Sequence, residues 1–237
     1  MLIDLATHGL FDNKLNSRST VVDLGANEGA FAIGIQRRFG CKVIAVEPSE
    51  ELCARISRNS GVAVVQSAIS GSNGIAVFHV AANSQASSIL PNLAANCLRR
   101  ADVRTITLET LFEEYSLHRV DLLKIDIEGS EVELFDSTTD DLLKRIAQIS
   151  IEFHDFNGTI GAPQADRIEQ RLLNLGFGRI ALSRTNRENV LFYQPKECGV
   201  SRRSAMYSRY VAKNIIGFRR WRARQQTSAI FKKLGLM

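Results

Sequence analysis

Two carboxylates, Asp126 and Glu128, follow an apolar stretch in the motif LLKIDIEGSE, and Glu152 and His154 follow a second apolar stretch in ISIEFHDF. The carboxyl ends of parallel strands meet at one edge of a sheet, where open α/β proteins bind ligands. A carboxylate, or an imidazole whose pKa lies near neutrality, could accept a substrate proton there. We therefore expect Asp126, Glu128 and His154 to be catalytic. The remaining histidines have no comparable setting and are expected to be structural or at the surface: His8, His79 and His118.

An extended chain through this motif would place Lys124, Asp126 and Glu128 on one side of the strand. A structural alternative is that the two carboxylates only cap the following helix while Lys124 neutralises them. A second alternative is a divalent cation held by Asp126, Glu128 and Glu152. Because the sequence contains no dedicated metal motif, we expect no metal.

The motif VVDLGANEGAF joins a predicted strand to a predicted helix. Gly25 and Gly29 remove side chains where the backbone must approach a ligand closely, and the helix points its N-terminal amides at that ligand. Asp23 ends the strand, where its carboxylate could organise the loop or reach a cationic group. The dinucleotide fingerprint G-x-G-x-x-G has its middle glycine replaced by Asn27. A pyrophosphate therefore fits poorly, whereas the amino-acid end of S-adenosylmethionine needs no phosphate cradle.

A further acidic residue, Glu47, ends the second predicted strand in VIAVEPS, 22 residues after Gly25. Such a residue can accept hydrogen bonds from both ribose hydroxyls of a nucleotide. NAD and S-adenosylmethionine share these hydroxyls, so Glu47 does not separate them, and its structural alternative is a cap on the next helix. The ordered set of motifs favours a nucleotide site. Ala68, just beyond the third predicted strand, is also expected to contact the cofactor.

Strands alternate with helices along most of the chain, which predicts a mostly parallel sheet covered on both faces. Two final strands joined by the polar turn SRTNREN predict an antiparallel hairpin at one edge. Residues 81–101, rich in Asn, Ser and Ala, predict a surface loop or lid beside the substrate. The predicted strands are Thr20–Leu24, Lys42–Val46, Val62–Gln66, Ile75–Val80, Val120–Ile125, Ile146–Phe153, Arg179–Leu182 and Val190–Gln194. The predicted helices are Ala30–Phe39, Ser49–Asn59, Thr107–Tyr115, one from Ser130, and Pro163–Leu175.

Charge divides the chain into a body, residues 1–197, and an extension, residues 198–237. Of the 30 Lys and Arg residues, ten lie in the extension, which has no Asp or Glu, so the body holds 20 basic against 25 acidic residues. No apolar run is long enough for a membrane span, and the first residues do not form a signal peptide. The four cysteines lack zinc or disulfide-framework spacing, which predicts reduced thiols and a cytoplasmic protein.

The extension predicts an amphipathic helix over about residues 204–236. Aromatic and apolar residues recur at spacings of mostly three and four, and basic residues lie between them. The apolar residues are Tyr207, Tyr210, Val211, Ile215, Phe218 and Trp221, and the basic ones are Arg209, Lys213, Arg219, Arg220, Arg222 and Arg224. Such a helix can lie on an anionic membrane. The alternatives are packing on the body or on a second subunit, and RNA contact.

Together the motifs resemble the FkbM methyltransferase family over roughly residues 18 to 195. The segments that carry the resemblance are VVDLGANEGAF, VIAVEPS, TITLETLFEE, VDLLKIDIEGSEVELF and ISIEFHDF. The resemblance implies a Rossmann-like class I methyltransferase fold with a seven-stranded sheet, and S-adenosylmethionine as cofactor. It implies methylation of a hydroxyl on a sugar, glycan or other natural product. It also assigns cofactor contacts to Asp23, Gly25, Asn27, Gly29 and Glu47, and the active site to Asp126 and Glu128.

Two other classes of protein stay open. An NAD-dependent oxidoreductase would use the same kind of loop, but the missing middle glycine weakens that interpretation. A nucleic-acid methyltransferase or RNA-binding protein would use the basic extension. The acidic body, without a basic stripe around the expected site, disfavours nucleic acid. The acceptor and the oligomeric state are not determined by the sequence.

Overall fold

The computed structural model of the chain describes residues 1–58, 61–81, 88–89, 97–154, 161–183, 189–212 and 214. The strands are β1 (Leu2–Leu5), β2 (His8–Phe11), β3 (Thr20–Leu24), β4 (Lys42–Glu47), β5 (Val62–Gln66), β6 (Ala68–Ile69), β7 (Gly74–Ala81), β8 (Cys97–Ile106), β9 (Leu122–Ile125), β10 (Gln148–Ile151), β11 (Gly178–Ala181) and β12 (Val190–Tyr193). The helices are α1 (Ala30–Phe39), α2 (Glu50–Ser57), α3 (Leu108–Glu114), α4 (Glu131–Ser137), α5 (Asp140–Lys144), α6 (Ala162–Asn174) and α7 (Arg202–Val211).

A seven-stranded sheet in the order β11-β12-β10-β9-β3-β4-β5 forms the centre of the fold. The five strands from β10 to β5 are parallel, and β12 runs antiparallel to both β10 and β11. Successive side chains of β3 enter different cores: Val21 packs on one face of the sheet, and Val22 and Leu24 on the other. Burial on both faces explains the continuous apolar runs. The predicted mostly parallel sheet with an antiparallel edge hairpin is confirmed.

A separate three-stranded sheet, β6-β8-β7, corrects one prediction. Residues 97–101 belong to the ten-residue strand β8, which pairs antiparallel with β7, and not to a loop. Leu98, Arg99 and Arg100 in this part of β8 are all exposed, so it lacks the apolar alternation that signals a half-buried strand. Of the rest of the predicted lid, Ala81 ends β7 and Ser88 and Ile89 line the cavity, whereas residues 82–87 and 90–96 lie outside the described residues.

The first residues form a hairpin, β1–β2, that the sequence did not predict. Its turn residues Ala6 and Thr7 have φ values of 44° and 66°, in the left-handed region that usually selects Gly or Asn. The usual turn signal is therefore absent from the sequence. The Gln148 side chain holds the hairpin to β10, because it accepts a hydrogen bond from the Phe11 N–H at 2.8 Å and donates to the Phe11 carbonyl at 2.9 Å.

The described part of the extension packs on the edge hairpin of the main sheet. Cys198, Val200 and Ala212 join the apolar cluster that contains residues of β11 and β12. In α7 the small residue Ser208 faces inward, whereas Tyr207 is exposed. The predicted helix is confirmed over residues 204–211, but residues 215–237 lie outside the described part of the chain. Among the described residues, no helix has the length and hydropathy to cross a bilayer.

Candidate active site

A cavity of about 630 Å³ opens where β3, β4 and β9 end. Six of the residues that the sequence singled out line it: Gly25, Asn27, Glu47, Ala68, Asp126 and Glu128. Lys124 and Glu152 also line it. Three of the expected site residues, Asp23, Gly29 and His154, are not among the described residues that line the cavity. Asp23 contacts the lining residue Lys124, and His154 contacts the lining residues Asp126 and Glu128.

The buried Lys124 joins the two principal motifs. Its Nζ lies 3.0 Å from Asp23 Oδ1 and 3.5 Å from Asp126 Oδ2, and it donates a hydrogen bond to the Gly25 carbonyl at 2.7 Å. Burial would lower the pKa of Lys124, but Asp23 and Asp126 outweigh it and raise the pKa above its ordinary value. Lys124 therefore stays charged. Lys124 thus pairs with Asp126, as one of the structural alternatives expected, and its second carboxylate partner is Asp23.

The two glycines of the loop are required by contacts within the chain. Gly25 has φ +73°, and a Cβ built on it would lie 1.8 Å from the Asp126 carbonyl oxygen. Gly29 has φ +79°, and its Cβ would lie 2.9 Å from Ile56 Cγ1. A side chain at Gly25 would thus push the cofactor-loop motif away from the motif that holds Asp126. Glycine is therefore required at position 25 by the contact with Asp126, in addition to the expected need to leave space for a ligand.

Glu47 anchors the loop through backbone hydrogen bonds. Its Oε2 accepts from the Asn27 N–H and its Oε1 from the Ser49 N–H, both at 2.9 Å. Burial raises the pKa of Glu47, and these two hydrogen bonds oppose the shift. The side chain that caps α2 is that of Ser49, so Glu47 does not cap this helix and only binds the N–H of the capping residue. Because each carboxylate oxygen has a second lone pair, Glu47 can still accept a hydrogen bond from a ligand in the cavity.

Asp126 stands at the centre of the charged groups. Its Oδ2 lies 3.5 Å from Lys124 Nζ and 3.8 Å from His8 Nε2, and its Oδ1 lies 3.7 Å from His154 Nε2. Burial would raise the pKa of Asp126, but the Lys124 charge, with smaller contributions from His8 and His154, holds it well below its ordinary value. Asp126 is therefore a permanently ionised carboxylate facing the cavity.

Glu128 lines the cavity, but the conformation that places it there differs from the predicted extended strand. The strand ends at Ile125, and Glu128 has φ +49°, so a left-handed turn and not strand alternation brings it beside Asp126. Its Oε2 lies 3.3 Å from His154 Nε2. On the other side of the ring, His154 Nδ1 lies 2.6 Å from Oε1 of the buried Glu131.

His154 is an imidazolium in this setting. Burial would lower its pKa, but hydrogen bonds to Glu128 and Glu131 outweigh burial and raise the pKa of His154 to about 11. A ring that is protonated at both nitrogens has no lone pair to accept a proton at neutral pH. The geometry therefore favours His154 as a fixed positive charge that positions Glu128. Glu131, which the sequence did not single out, lies within the same motif, but only the structure shows it against a histidine.

His8 is the site residue that sequence reasoning missed. It was expected to be structural or at the surface, yet it is buried and lines the cavity. The reason for the error is the unpredicted hairpin, which carries His8 onto the sheet. Of the other two histidines, His79 is buried in β7 and His118 is exposed, as expected.

Two groups of side chains have metal-ligand chemistry within the described part of the chain: His8, Asp126 and Glu152, and Asp126, Glu128 and His154. In the second group the imidazolium of His154 repels a cation. In the first group the Lys124 ammonium lies against the Asp126 oxygen that faces His8. In both groups a positive charge from the chain itself already accompanies the carboxylates.

The sheet order, the antiparallel β12 and the cavity at the strand ends define a Rossmann-like class I methyltransferase fold. The chain belongs to the FkbM methyltransferase family, because the profile of the methyltransferase FkbM domain matches residues 23–178. It is a methyltransferase, as predicted. The matched segment begins after the hairpin β1–β2 and ends at the start of β11.

The chain is similar to two curated proteins and to solved structures. Methyltransferase sdnD of Sordaria araneosa is 27% identical over 199 residues, which cover 69% of this chain and 75% of that protein. AMB antimetabolite synthetase AmbE of Pseudomonas aeruginosa is 26% identical over 200 residues, covering 67% of this chain but 9% of that protein. The structure of precorrin-6y C5,15-methyltransferase from Geobacter metallireducens aligns with a TM-score of 0.42 at 11% identity, covering 77% of this chain and 83% of that one. A structural likeness at this level supports no conclusion.

The charge on His154 predicts a distinctive dependence of stability on pH. Because the pKa of His154 rises to about 11 in the folded protein, against about 6.5 when unfolded, its contribution is fully present below the unfolded pKa. It is lost as pH rises through the folded pKa. The free energy of unfolding should therefore fall between about pH 7 and 9, by as much as about 1.4 kcal/mol per pH unit. Urea unfolding at several pH values measures this slope.

His154→Gln should flatten this slope, and His118→Gln is the matched control because His118 is exposed. If the stability curves of the wild type and His154→Gln run parallel over this pH range, His154 is not held as a cation.

Proposed function

We propose that this methyltransferase uses S-adenosylmethionine and transfers its methyl group to a hydroxyl oxygen of a small molecule or glycan. The observation that carries the proposal is the ionised Asp126 at the cavity, directly beside the glycine loop. Methyl transfer requires two binding regions that meet at one point, one for the cofactor and one for the acceptor. The contact between Gly25 and the Asp126 backbone brings the two motifs together at such a point.

The cofactor region has polar atoms suited to the two ends of S-adenosylmethionine. Asn27 Oδ1 is buried without a hydrogen-bond partner among the described residues, and Asn27 lines the cavity. A buried acceptor without a partner is costly unless a ligand supplies a donor. We assign Asn27 and Gly25 to the amino-acid end of the cofactor and Glu47 to the ribose, with Ala68 beside the nucleoside. Asp23 and Gly29 support the loop from behind.

When bound, this cofactor supplies an electrophilic methyl group on a sulfonium sulfur. The chain then has to position the acceptor oxygen and find a place for its proton. Asp126 stays ionised, and a carboxylate accepts a hydrogen bond from a hydroxyl. We assign to Asp126 the orientation of the acceptor, and to Glu128, fixed by His154, a second contact with a neighbouring hydroxyl. The lowered pKa of Asp126 makes it a stronger orienting group than base.

A natural product as the acceptor is in keeping with the name of one relative, AMB antimetabolite synthetase AmbE. This chain spans 9% of that synthetase, so the comparison concerns one segment of a much larger protein. The oxidoreductase alternative lacks a comparable observation, because Asn27 stands where the dinucleotide loop needs glycine. The nucleic-acid alternative rests on the extension alone.

The cofactor assignment predicts that S-adenosylmethionine binds and that Glu47→Gln weakens the binding. The substituted amide places an NH2 group against one of the two backbone N–H donors that Glu47 accepts. It also removes the charge that strengthens a ribose hydrogen bond. We expect affinity to fall about 10- to 100-fold. Calorimetry with S-adenosylmethionine and with NAD measures it.

Glu50→Gln is the matched control, because Glu50 is exposed in the first turn of α2. Equal affinities of the two variants would remove Glu47 from the site. Binding of NAD in place of S-adenosylmethionine would overturn the proposed function.

We also propose that α7 touches an anionic membrane surface, which would suit a lipid-linked acceptor. Its outer face exposes Met206, Tyr207 and Tyr210, while Ser208 and Ala212 are buried against the body. Amphipathic residues of this kind, flanked by arginine, favour the interface of a bilayer. The proposal depends on the described residues of the extension and on its basic composition.

Flotation of the full chain with vesicles of graded anionic lipid content tests this contact. Tyr207→Ser/Tyr210→Ser should reduce flotation severalfold, because each exposed ring contributes apolar area at the interface. Ile75→Ser, an exposed apolar residue on β7, is the control. No dependence on anionic lipid, or equal flotation of both variants, would contradict the membrane contact. A salt-sensitive gel shift with RNA in place of flotation would favour the RNA alternative.

A further inference from the structure

Asn189 carries a second buried amide at the cavity, on the side away from the cofactor loop. The residue lines the cavity and is 3% exposed, and its Oδ1 has no hydrogen-bond partner among the described residues. A buried acceptor without a partner is costly unless a ligand supplies a donor. Asn27 has the same property in the cofactor region. The amide of Asn189 therefore points to a second ligand group that donates a hydrogen bond.

The antiparallel strand β12 brings Asn189 to the edge of the sheet where the parallel strands end. An antiparallel strand begins at that edge, and Asn189 directly precedes β12. Val190 pairs with Ile151, so Asn189 lies beside Glu152, which also lines the cavity. Adjacent strands are about 4.8 Å apart, so the backbone of Asn189 lies roughly 10 Å from that of Asp126, two strands away.

The hairpin β1–β2 holds Asn189 in place. The carbonyl of Asn189 accepts a hydrogen bond from the Leu182 N–H at 2.9 Å. Leu182 is fully buried, and a Cβ built on Gly9 would lie 2.5 Å from both of its methyl groups. The hairpin thus packs directly on the residue that binds Asn189, and its turn residues Ala6 and Thr7 line the same cavity. Asn189 and the hairpin form one wall.

This wall lies outside the residues that the family profile matches, 23–178. The glycine loop, Glu47, Asp126 and Glu152 lie within the matched segment. The cofactor region is therefore built from the matched segment, and the far wall from residues of the chain before and after it. Specificity within one fold is carried by the site that each chain builds on it. The far wall is thus the part of the cavity suited to selecting the acceptor.

The charges near this wall disfavour an anionic acceptor. Asp126, Glu128 and Glu152 line the cavity, and oxygens of Asp126 and Glu152 lie within 4.8 Å of each other. The cations nearby, Lys124 and His154, each already contact two or more carboxylates. A carboxylate or phosphate on the acceptor would add a further negative charge and be repelled. A hydroxyl, by contrast, can donate to any of these oxygens.

We propose that Asn189 determines specificity by binding a hydroxyl of the acceptor that is not methylated, and that the acceptor is an uncharged polyol. This inference rests on the proposed function. Asp126 orients the hydroxyl that reacts, and a second hydroxyl, on the side of the molecule away from the cofactor, donates a hydrogen bond to Asn189 Oδ1. A monohydric alcohol lacks this second contact, and a sugar acid is repelled by the carboxylates.

The first test needs no acceptor. Urea unfolding compares the wild type with Asn189→Leu and Asn189→Ala in the full chain. The unfolding midpoint of Asn189→Leu should equal or exceed that of the wild type, because a buried acceptor without a partner is removed. Asn174→Leu, at an exposed position at the end of α6, is the matched control. Marked destabilisation of both Asn189 variants would show that the chain itself satisfies the amide and would overturn the inference.

The second test measures turnover with S-adenosylmethionine carrying a labelled methyl group. The substrates are neutral methyl glycosides, the matching uronic acids and benzyl alcohol. The wild type should prefer the neutral glycosides, and Asn189→Leu should raise their KM about 10-fold while kcat changes less. Its kcat/KM for benzyl alcohol should match that of the wild type. An equal loss for glycosides and benzyl alcohol, or a preference of the wild type for uronic acids, would contradict the inference.

A direct binding measurement covers the case in which the panel lacks the true acceptor. NMR of the Asn189 side-chain amide, assigned by comparison with Asn189→Leu, follows the full chain with S-adenosylhomocysteine. Neutral glycosides should shift this signal and uronic acids should not. No shift with any neutral polyol would overturn the role of Asn189, with the cofactor still bound. Absence of S-adenosylmethionine binding in the wild type would instead contradict the proposed function itself.

Discussion

A single buried ammonium, that of Lys124, holds the two halves of the site in contact. It lies between Asp23 on β3 and Asp126 after β9, and it also binds the carbonyl of Gly25. A buried charge is tolerated when carboxylates and carbonyls surround it closely, and removal of one partner leaves the others uncompensated. The same ammonium holds the pKa of Asp126 well below its ordinary value, and it adds to the larger effect of burial in lowering the pKa of His8. The chemistry of the site therefore depends on a buried pair of charges, Asp23 and Lys124, of which Lys124 lines the cavity.

The two histidines of the site show how neighbouring groups divide the roles. His154 lies between Glu128 and Glu131 and stays protonated, whereas His8 faces a carboxylate that Lys124 has already neutralised in part. A cationic ring donates from both nitrogens and has no lone pair for a proton, whereas a neutral ring has one donor and one lone pair. Residue type alone did not separate them, because both are buried histidines next to carboxylates. Their different partners do.

The sequence predicted the parts of the fold whose signals are local. Apolar patterns or turn residues in the sequence predict several elements correctly. These are the strands β3, β4, β9 and β10, the glycine loop and the final hairpin. Positions 25, 47 and 126 could be placed at one edge of a sheet because each follows such a strand. The hairpin β1–β2 could not be predicted, since its turn residues Ala6 and Thr7 adopt conformations that favour Gly or Asn. The first part of β8 could not be predicted for a different reason, because Leu98, Arg99 and Arg100 are all exposed and show no alternation.

The position of His8 at the cavity could not be predicted from the sequence. Its neighbours Ser150 and Asp126 lie far away along the chain and meet it only because the hairpin packs on the sheet. The contact of His154 with Glu131, the first residue of α4, likewise depends on the tertiary structure. Periodicity predicts which side of an element is buried, but not which titratable groups meet there. The charge states of the two histidines follow from those contacts.

The central claim, that cofactor and acceptor meet at Asp126, is tested most directly by a crystal structure of the full chain with S-adenosylhomocysteine. The account predicts that the ribose lies at Glu47, that the amino-acid end lies at Gly25 and Asn27, and that the sulfur faces the space between Asp126 and His8. A nucleoside bound outside this cavity, or a sulfur turned away from Asp126, would contradict the account.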